Sequence, residues 1–439
     1  MPDNPVISPA RGLLIAAPSS GAGKTTLTLA LLRALKTAGR AVASAKSGPD
    51  YIDPKFHEAA GGSPCVNLDA WAMTPATLTA LAGGQAQGQD LLIVEGAMGL
   101  FDGAASGKGS AADLAARLGL PVVLVVDCAK QAQSVAALLH GFRSFKDDVT
   151  IAGVLLNRVG SARHEKMLRS ALAPLGVKVL GALPRSEDLV LPERHLGLVQ
   201  AEEHGDLERF LENAASLCAD HVDLAGLEEI ASGIAPARNA EISLPAPLGQ
   251  KIAVARDVAF AFTYPHLMDF WRQSGAELSF FSPLADEAPS SEADAIYLPG
   301  GYPELHAGRL AGAGHFRAGM QTAAKGGKLI YGECGGYMTL GSGLIDAGGA
   351  RHEMLGLLPL ETSFQSRKRH LGYRRIKSPV GMPWPGPLTA HEFHYASIVS
   401  EGAAERLFEA EDAEGTKLAG LGLRAGSVMG SFAHVIAVA

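Results

Sequence analysis

Cysteine is scarce in this chain, with 4 among 439 residues. Cys65, Cys128, Cys218 and Cys334 lie far apart with no C-x-x-C pair, so neither a disulfide framework nor a zinc site is suggested. Isolated thiols of this kind fit a reducing cytoplasm. Charge is also sparse at 19%, and its balance is slightly acidic, 38 Lys+Arg against 45 Asp+Glu. A general nucleic-acid binder needs a basic surplus to meet phosphates, so that class is disfavoured. No apolar run approaches the roughly 18 residues a membrane span requires, so no membrane partner is expected. The start, MPDNPVISPARG, lacks a basic segment followed by an apolar one, so no signal peptide is expected.

Apolar residues make up 47% of the chain, enough for sizeable cores and too many for general disorder. At roughly 150 residues per domain the length suggests two or three domains. Glycine is abundant, 52 residues alongside 25 Pro, with no Gly-X-Y period. That points to tight turns and close backbone approaches, as in loops that hold phosphates.

Short apolar runs at 12–17, 41–45, 91–94, 121–126, 151–156 and 177–183 alternate with amphipathic stretches such as 24–38 and 161–173. Continuous apolar strands separated by helices predict a parallel sheet covered on both faces. The polar, Pro-rich stretch 233–249 interrupts the pattern and reads as a linker. A second α/β pattern follows, with strands expected at 251–255, 277–281, 294–298 and 328–331 and helices at 264–273 and 313–325. The expected organisation is a first α/β domain over 1–235, a linker over 236–248 and a second α/β domain over 249–439. The stretch 340–390 gives no clear pattern.

Residues 16–26, AAPSSGAGKTT, stand between a strand and a helix. They form a variant phosphate loop, with Pro18 where the strict motif has glycine. Ser20, Gly21, Ala22, Gly23 and Thr26 supply backbone and side-chain donors for ATP. Lys24 reaches the outer phosphates, and the Thr25 hydroxyl holds Mg²⁺. The strand LLIVE ends in Glu95, a candidate Mg²⁺ ligand. KSGPDYIDPKFH, at 46–57, is bracketed by Pro49 and Pro54 and reads as a rigid loop at the carboxyl end of the sheet. Asp50 is a further candidate metal ligand there, while Lys46 suits a phosphate or a substrate carboxylate. Asn157, ending IAGVLLN, can read an adenine edge or simply close a turn. Asp102, in a Gly-rich loop, binds metal or substrate or serves the turn alone.

In KLIYGECGGYM, at 328–338, a strand runs into a G-x-nucleophile-x-G elbow with cysteine as the nucleophile, Cys334. A following helix is expected to lower the thiol pKa, and the next backbone N–H can serve an oxyanion. LPGGYPE, at 298–304, offers a second oxyanion donor. The base is open among His391, His394 and His434. HEFHY carries an H-x-x-H pair, but no third metal ligand stands out.

PGGYPE, GECGGYM and GSFAH together resemble class I glutamine amidotransferase domains of the cobyrinic/cobyric acid synthase type. The N-terminal half resembles the dethiobiotin-synthetase-like amidoligases, and APSSGAGKTT, GPDYIDPKFH, VEGAMGLFDG, LPERHLGLVQAEE (191–203) and HEFHY together resemble the a,c-diamide synthase family. The resemblance covers nearly the whole chain. It implies a P-loop domain joined to an amidotransferase domain, with ATP, L-glutamine and a corrin-type polycarboxylate as substrates and Mg²⁺ as cofactor. It implies Cys334 as nucleophile, His434 as its partner, and Gly301 and Gly335 as oxyanion donors. Lys46, Tyr51 and Asp102 would face the carboxylate substrate. The usual H-P-E run is His434-Val435-Ile436 here, so a Cys–His dyad is implied and what orients His434 stays open. The basic run 367–377, with six Lys/Arg in eleven positions, suits a polycarboxylate or is a solvated loop. Ser19 replaces the second lysine of partitioning ATPases, against a nucleotide switch with an amidotransferase-like domain. A different tetrapyrrole, such as a metal sirohydrochlorin, is the enzymatic alternative, and a homodimer is left open.

Overall fold

The computed structural model describes residues 10–186, 189, 193–194, 197–198, 200–236, 242–378 and 384–439. The chain divides into two compact units, Met1–Ile242 and Ser243–Ala439. Within the stretch read as a linker, residues 237–241 lie outside the described residues, as does most of the 191–199 part of LPERHLGLVQAEE.

The first unit is built on parallel strands β1 (Arg11–Ala16), β2 (Val42–Ser47), β3 (Val66–Leu68), β4 (Leu91–Glu95), β5 (Val122–Asp127), β6 (Ile151–Val159) and β7 (Lys178–Pro184). Their spatial order is β3-β2-β4-β1-β5-β6-β7, with a short antiparallel strand, Ser232–Gly233, on β1. β1 therefore lies in the interior of the sheet, and its Leu13, Leu14 and Ile15 are fully buried. Uniform burial is the reason these strands are apolar runs without alternation. Helix α1 (Lys24–Thr37) follows β1 and buries Leu27, Leu31, Leu32 and Leu35. Its cap, Gly23, has φ 90°, a conformation that glycine adopts without a Cβ penalty.

One expectation is overturned. The 46–57 stretch is not a loop throughout, because helix α2 (Asp53–Gly61) begins at Asp53 with Pro54 in its first turn. Proline disfavours helix in the residue before it, yet is at home in a first turn, where its missing N–H has no partner to lose.

The second unit holds a ten-stranded mixed sheet. Glu277–Phe281, Lys251–Ala255, Ala295–Leu298, Leu329–Glu333 and Val428–Ser431 run parallel in that order. Leu421–Ala425, Glu405–Glu411, His370–Lys377, Pro387–His394 and Ala433–Val438 continue it antiparallel. The unassigned 340–390 stretch supplies Gly343–Ile345, Arg351–Glu353 and Leu360–Ser363, which join Ser397–Glu401 in a separate four-stranded sheet. Among the described residues, no helix is long and apolar enough to cross a membrane.

Leu14→Ala would empty space in the middle of the first sheet, where Leu14 is fully buried. The expected loss is about 2–5 kcal/mol, read as a lower urea midpoint for the transition of the first unit.

Candidate active site

The phosphate loop sits where strand order reverses: β1 lies between β4 and β5, both of which follow it in sequence. In an open parallel sheet such a point leaves a crevice at the carboxyl ends of the strands. Lys24, at the start of α1, is 7% exposed, and its Nζ lies 3.5 Å from the Ser19 carbonyl. Asn157 belongs to the same loop. Its amide Nδ2 donates to the Ala22 carbonyl at 2.9 Å, and its Oδ1 accepts from the Arg158 N–H. Here the side chain braces the loop. Ser20 and Gly21 are exposed, whereas Ala22 is buried.

Register places Lys46 of β2 and Ile15 of β1 directly beside Glu95 of β4. Glu95 is fully buried, and each of its oxygens is met. Oε1 accepts from Thr25 Oγ1 at 2.7 Å and from Lys46 Nζ at 2.8 Å. Oε2 pairs with His57 Nε2 at 2.6 Å. Lys46 also donates to Asp53 Oδ2 at 2.5 Å and lies 3.9 Å from Asp50. Burial alone would raise the Glu95 pKa, but Lys46 and His57 hold it below the usual carboxylate range. Burial would pull His57 down, but Cys65 and Glu95 hold it up at about 10.

This arrangement gathers Thr25, Asp50 and Glu95, and it adds residues that were not expected. Asp53 lies 3.3 Å from the Thr25 hydroxyl and bonds Lys46, whereas Asp50 also caps the turn by accepting from the N–H groups of Ile52 and Asp53. His57, with Cys65 Sγ 3.4 Å from its Nδ1, was missed as well. Asp53 and His57 are four residues apart, one helical turn, so recognising α2 would have put both on one face. The donor set is wholly hard oxygen, which suits Mg²⁺. Asp102 accepts from the Gly99 N–H at 3.0 Å, the turn role held open for it. Tyr51 is half-buried in the turn before α2.

The thiol site is built by backbone geometry. Cys334 follows strand Leu329–Glu333 with φ 45° and ψ -102° and leads directly into helix Gly335–Leu340. A non-glycine residue in that conformation stores roughly 1–3 kcal/mol of strain. The surrounding fold holds it there: Cys334 N–H donates to the Ser431 carbonyl at 2.8 Å. Cβ-sized space is absent all around. A Cβ on Gly300 would lie 2.4 Å from His434 Cε1, 3.2 Å from its Nε2 and 3.4 Å from Cys334 Cβ. A Cβ on Gly335 would lie 2.9 Å from the Gly301 nitrogen. Cys334, His434, Gly300, Gly301 and Gly335 therefore converge, and of the three histidines it is His434 that faces the thiol side.

His434 is buried, and burial with His391 and His394 nearby holds its pKa down at about 3, so the ring is neutral. The expected acidification of Cys334 is overturned. Burial and the carboxylate of Glu304 push the thiol up, and the Gly335 N–H offsets only part of this. The thiol therefore needs a base to lose its proton.

A cluster absent from the expectations lies nearby: His370, Glu392 and His394 place ligand-type atoms within 4.8 Å of one another. The geometry disfavours a metal. The two imidazoles stack at 4.7 Å and 5°, so a shared ion could not lie in both ring planes. Glu392 is already held by Arg374 at 2.8 Å and His394 at 3.0 Å. Arg374 is thus spent inward, whereas Arg367, Lys368, Arg369, Arg375 and Lys377 of the basic run are exposed. All four cysteines are free and buried.

Residues 13–199 match the CobQ/CobB/MinD/ParA nucleotide binding domain, and residues 251–439 the CobB/CobQ-like glutamine amidotransferase domain. Curated proteins called hydrogenobyrinate a,c-diamide synthase align along nearly the whole chain. That of Brucella suis biovar 1 (strain 1330) is 62% identical, covering 97% of this chain and 98% of its own. The chain belongs to the hydrogenobyrinate a,c-diamide synthase family. The relative from Rhizobium meliloti (strain 1021) is 59% identical over 97% of this chain and 99% of its own. That from Rhodobacter capsulatus is 52% identical over 97% and 99%. As a family member the chain is an amidating ligase with a glutamine amidotransferase domain, and its two α/β units correspond to the two matched domains.

Lys46 is 4% exposed in its side chain and offsets two carboxylates. Lys46→Met should cost about 3–5 kcal/mol in urea unfolding, because Glu95 and Asp53 lose a buried partner. Adding Glu95→Gln should restore part of that stability.

Proposed function

We propose that this chain is an ATP- and glutamine-dependent ligase that converts the a and c acetate carboxylates of hydrogenobyrinic acid to amides. The observation that carries this reading is a strained Cys334 facing a neutral His434, in one chain with a phosphate loop and a buried Lys46–Glu95–Asp53 cluster. Relatives at 52–62% identity bearing that substrate's name support the choice of macrocycle.

In the second unit, Cys334 Sγ attacks the side-chain amide carbon of glutamine as His434 Nε2 takes the thiol proton. The oxyanion is met by the N–H groups of Gly301 and Gly335. The tetrahedral adduct collapses with cleavage of the C–N bond, the proton passes from His434 to the leaving nitrogen, and ammonia departs. Water then attacks the thioester, giving glutamate and the restored thiol. Neutral His434 and a neutral thiol suit this order, because the proton moves only when substrate carbon is attacked.

In the first unit, a substrate carboxylate oxygen takes the γ-phosphoryl group of ATP, releasing ADP. Ammonia then displaces phosphate from the acyl phosphate to give the amide. The backbone of Ser20, Gly21, Ala22 and Gly23 cradles the phosphates, Lys24 and Thr26 contact them, and Asn157 closes the nucleotide side. Thr25, Asp53 and Glu95, with Asp50 beside them, are the oxygens that hold Mg²⁺, which when bound offsets charge accumulating on the transferred phosphoryl group. Lys46 leaves its carboxylate partners to meet the substrate carboxylate, and Tyr51 and Asp102 line that side. The reaction belongs to the cytoplasm, where thiols stay reduced.

The test supplies hydrogenobyrinic acid, ATP, Mg²⁺ and glutamine and follows product mass. Two added amides are expected; turnover only with a cobalt- or nickel-bearing macrocycle would overturn the substrate assignment. Cys334→Ala should abolish use of glutamine while leaving amidation with free ammonia intact. Equal loss of both would sink the division of labour.

A further inference from the structure

We propose that Glu333, the residue immediately before the nucleophile, is the positioning residue for His434, taking the place of the glutamate that the His434-Val435-Ile436 run lacks. The inference rests on the glutamine-hydrolysing role proposed for Cys334 and His434.

Glu333 ends a parallel strand, is 2% exposed, and approaches the far edge of the imidazole. Its Oε2 lies 3.7 Å from His434 Nδ1. The other edge of the ring, with Cε1 and Nε2, borders Gly300, which also borders Cys334 Cβ. An acceptor opposite Nδ1 keeps the proton there, which leaves the Nε2 lone pair for the thiol proton. The separation is an ion-pair distance, and such contacts tighten when substrate is bound.

The carboxylate is itself immobilised. Oε1 accepts from the Val435 N–H at 3.0 Å and from Tyr331 OH at 3.1 Å, and Oε2 accepts from Tyr297 OH at 2.8 Å. Both phenols are fully buried or nearly so and have their pKa values raised by burial and by Glu333, so they act as donors. Val435 is the residue after His434, so one carboxylate fixes both the backbone and the ring of the base. A buried carboxylate with this many fixed donors does not wander.

Burial pushes Glu333 up to about 7, against the hydrogen bonds from Val435, Tyr297 and Tyr331. The groups around this pair are Tyr297, Tyr331, Cys334, His391, Glu392 and His394. Because the folded pKa is raised, the carboxylate form is present above about 7 and is lost as pH falls through it. Glutaminase kcat should therefore carry an acid limb near pH 7.

Glu333→Gln keeps the shape and one acceptor oxygen, enough for Val435 and Tyr331, places an NH2 where Tyr297 met the second oxygen, and removes the charge. The measurement is glutaminase kcat and KM against pH, with ammonia-dependent amidation followed on the same preparation. The expected result is a fall in glutaminase kcat of about tenfold to a thousandfold, KM within about threefold, and loss of the acid limb. Ammonia-dependent amidation should stay at the wild-type level. In a His434→Ala background the same substitution should cost nothing more, because Glu333 acts through the ring. A wild-type pH profile, an additive loss in that background, or an equal fall in ammonia-dependent turnover would each overturn the proposal. Wild-type enzyme without glutaminase activity would instead overturn the underlying reading of Cys334 and His434.

Discussion

A carboxylate taken out of water must be met on every side by donors, and both units are organised around that requirement. Glu95 and Glu333 each end an interior strand with parallel neighbours, and both are essentially inaccessible. Hydrophobic neighbours cannot solvate them. Lys46, Thr25 and His57 converge on the first, and Tyr297, Tyr331 and the Val435 N–H on the second. The two solutions differ in kind. Glu95 is met by cations and stays strongly acidic, whereas Glu333 is met by neutral donors and sits near neutrality. The first suits a group that faces phosphates and metal, and the second a group whose neighbour must gain and release a proton.

Local strain is concentrated where chemistry is expected. Cys334 is held at positive φ by the Ser431 carbonyl and by glycines that leave no room for side chains. The sheet that imposes this conformation is apolar and closely packed, with Phe260, Leu298, Tyr337 and Phe432 in the same core as Cys334. The same enclosure raises the thiol pKa, so the thiol stands protonated, as the proposed role for a partner base requires.

Much of this was legible in the sequence. Uniform apolar runs mark buried parallel strands, as at 251–255, and the edge strand at 277–281 also falls where its run does although only Phe281 of it is buried. Glycine spacing marks the phosphate loop and the elbow, because only a missing Cβ permits those approaches. Legibility fails where a residue's role depends on pairing between distant strands. Glu333 follows ordinary strand residues in sequence, and nothing local says that strand Ala433–Val438 will bring His434 beside it. Asp53 and His57 were hidden by proline, which reads as a loop signal unless the first-turn exception is applied. The His370–Glu392–His394 cluster likewise exists only through strand register.

Cys334 and His434 are separated by about half of the second unit, and their strands lie far apart in the order of the ten-stranded sheet. A single residue, Phe432, joins Val428–Ser431 in its interior to Ala433–Val438 at the end of the strand order. A ribosome making this chain therefore finishes the phosphate loop and the elbow long before the histidine emerges. In the proposed mechanism the thiol has no base until that last strand docks, so a nascent chain releases no ammonia before its sheet is complete.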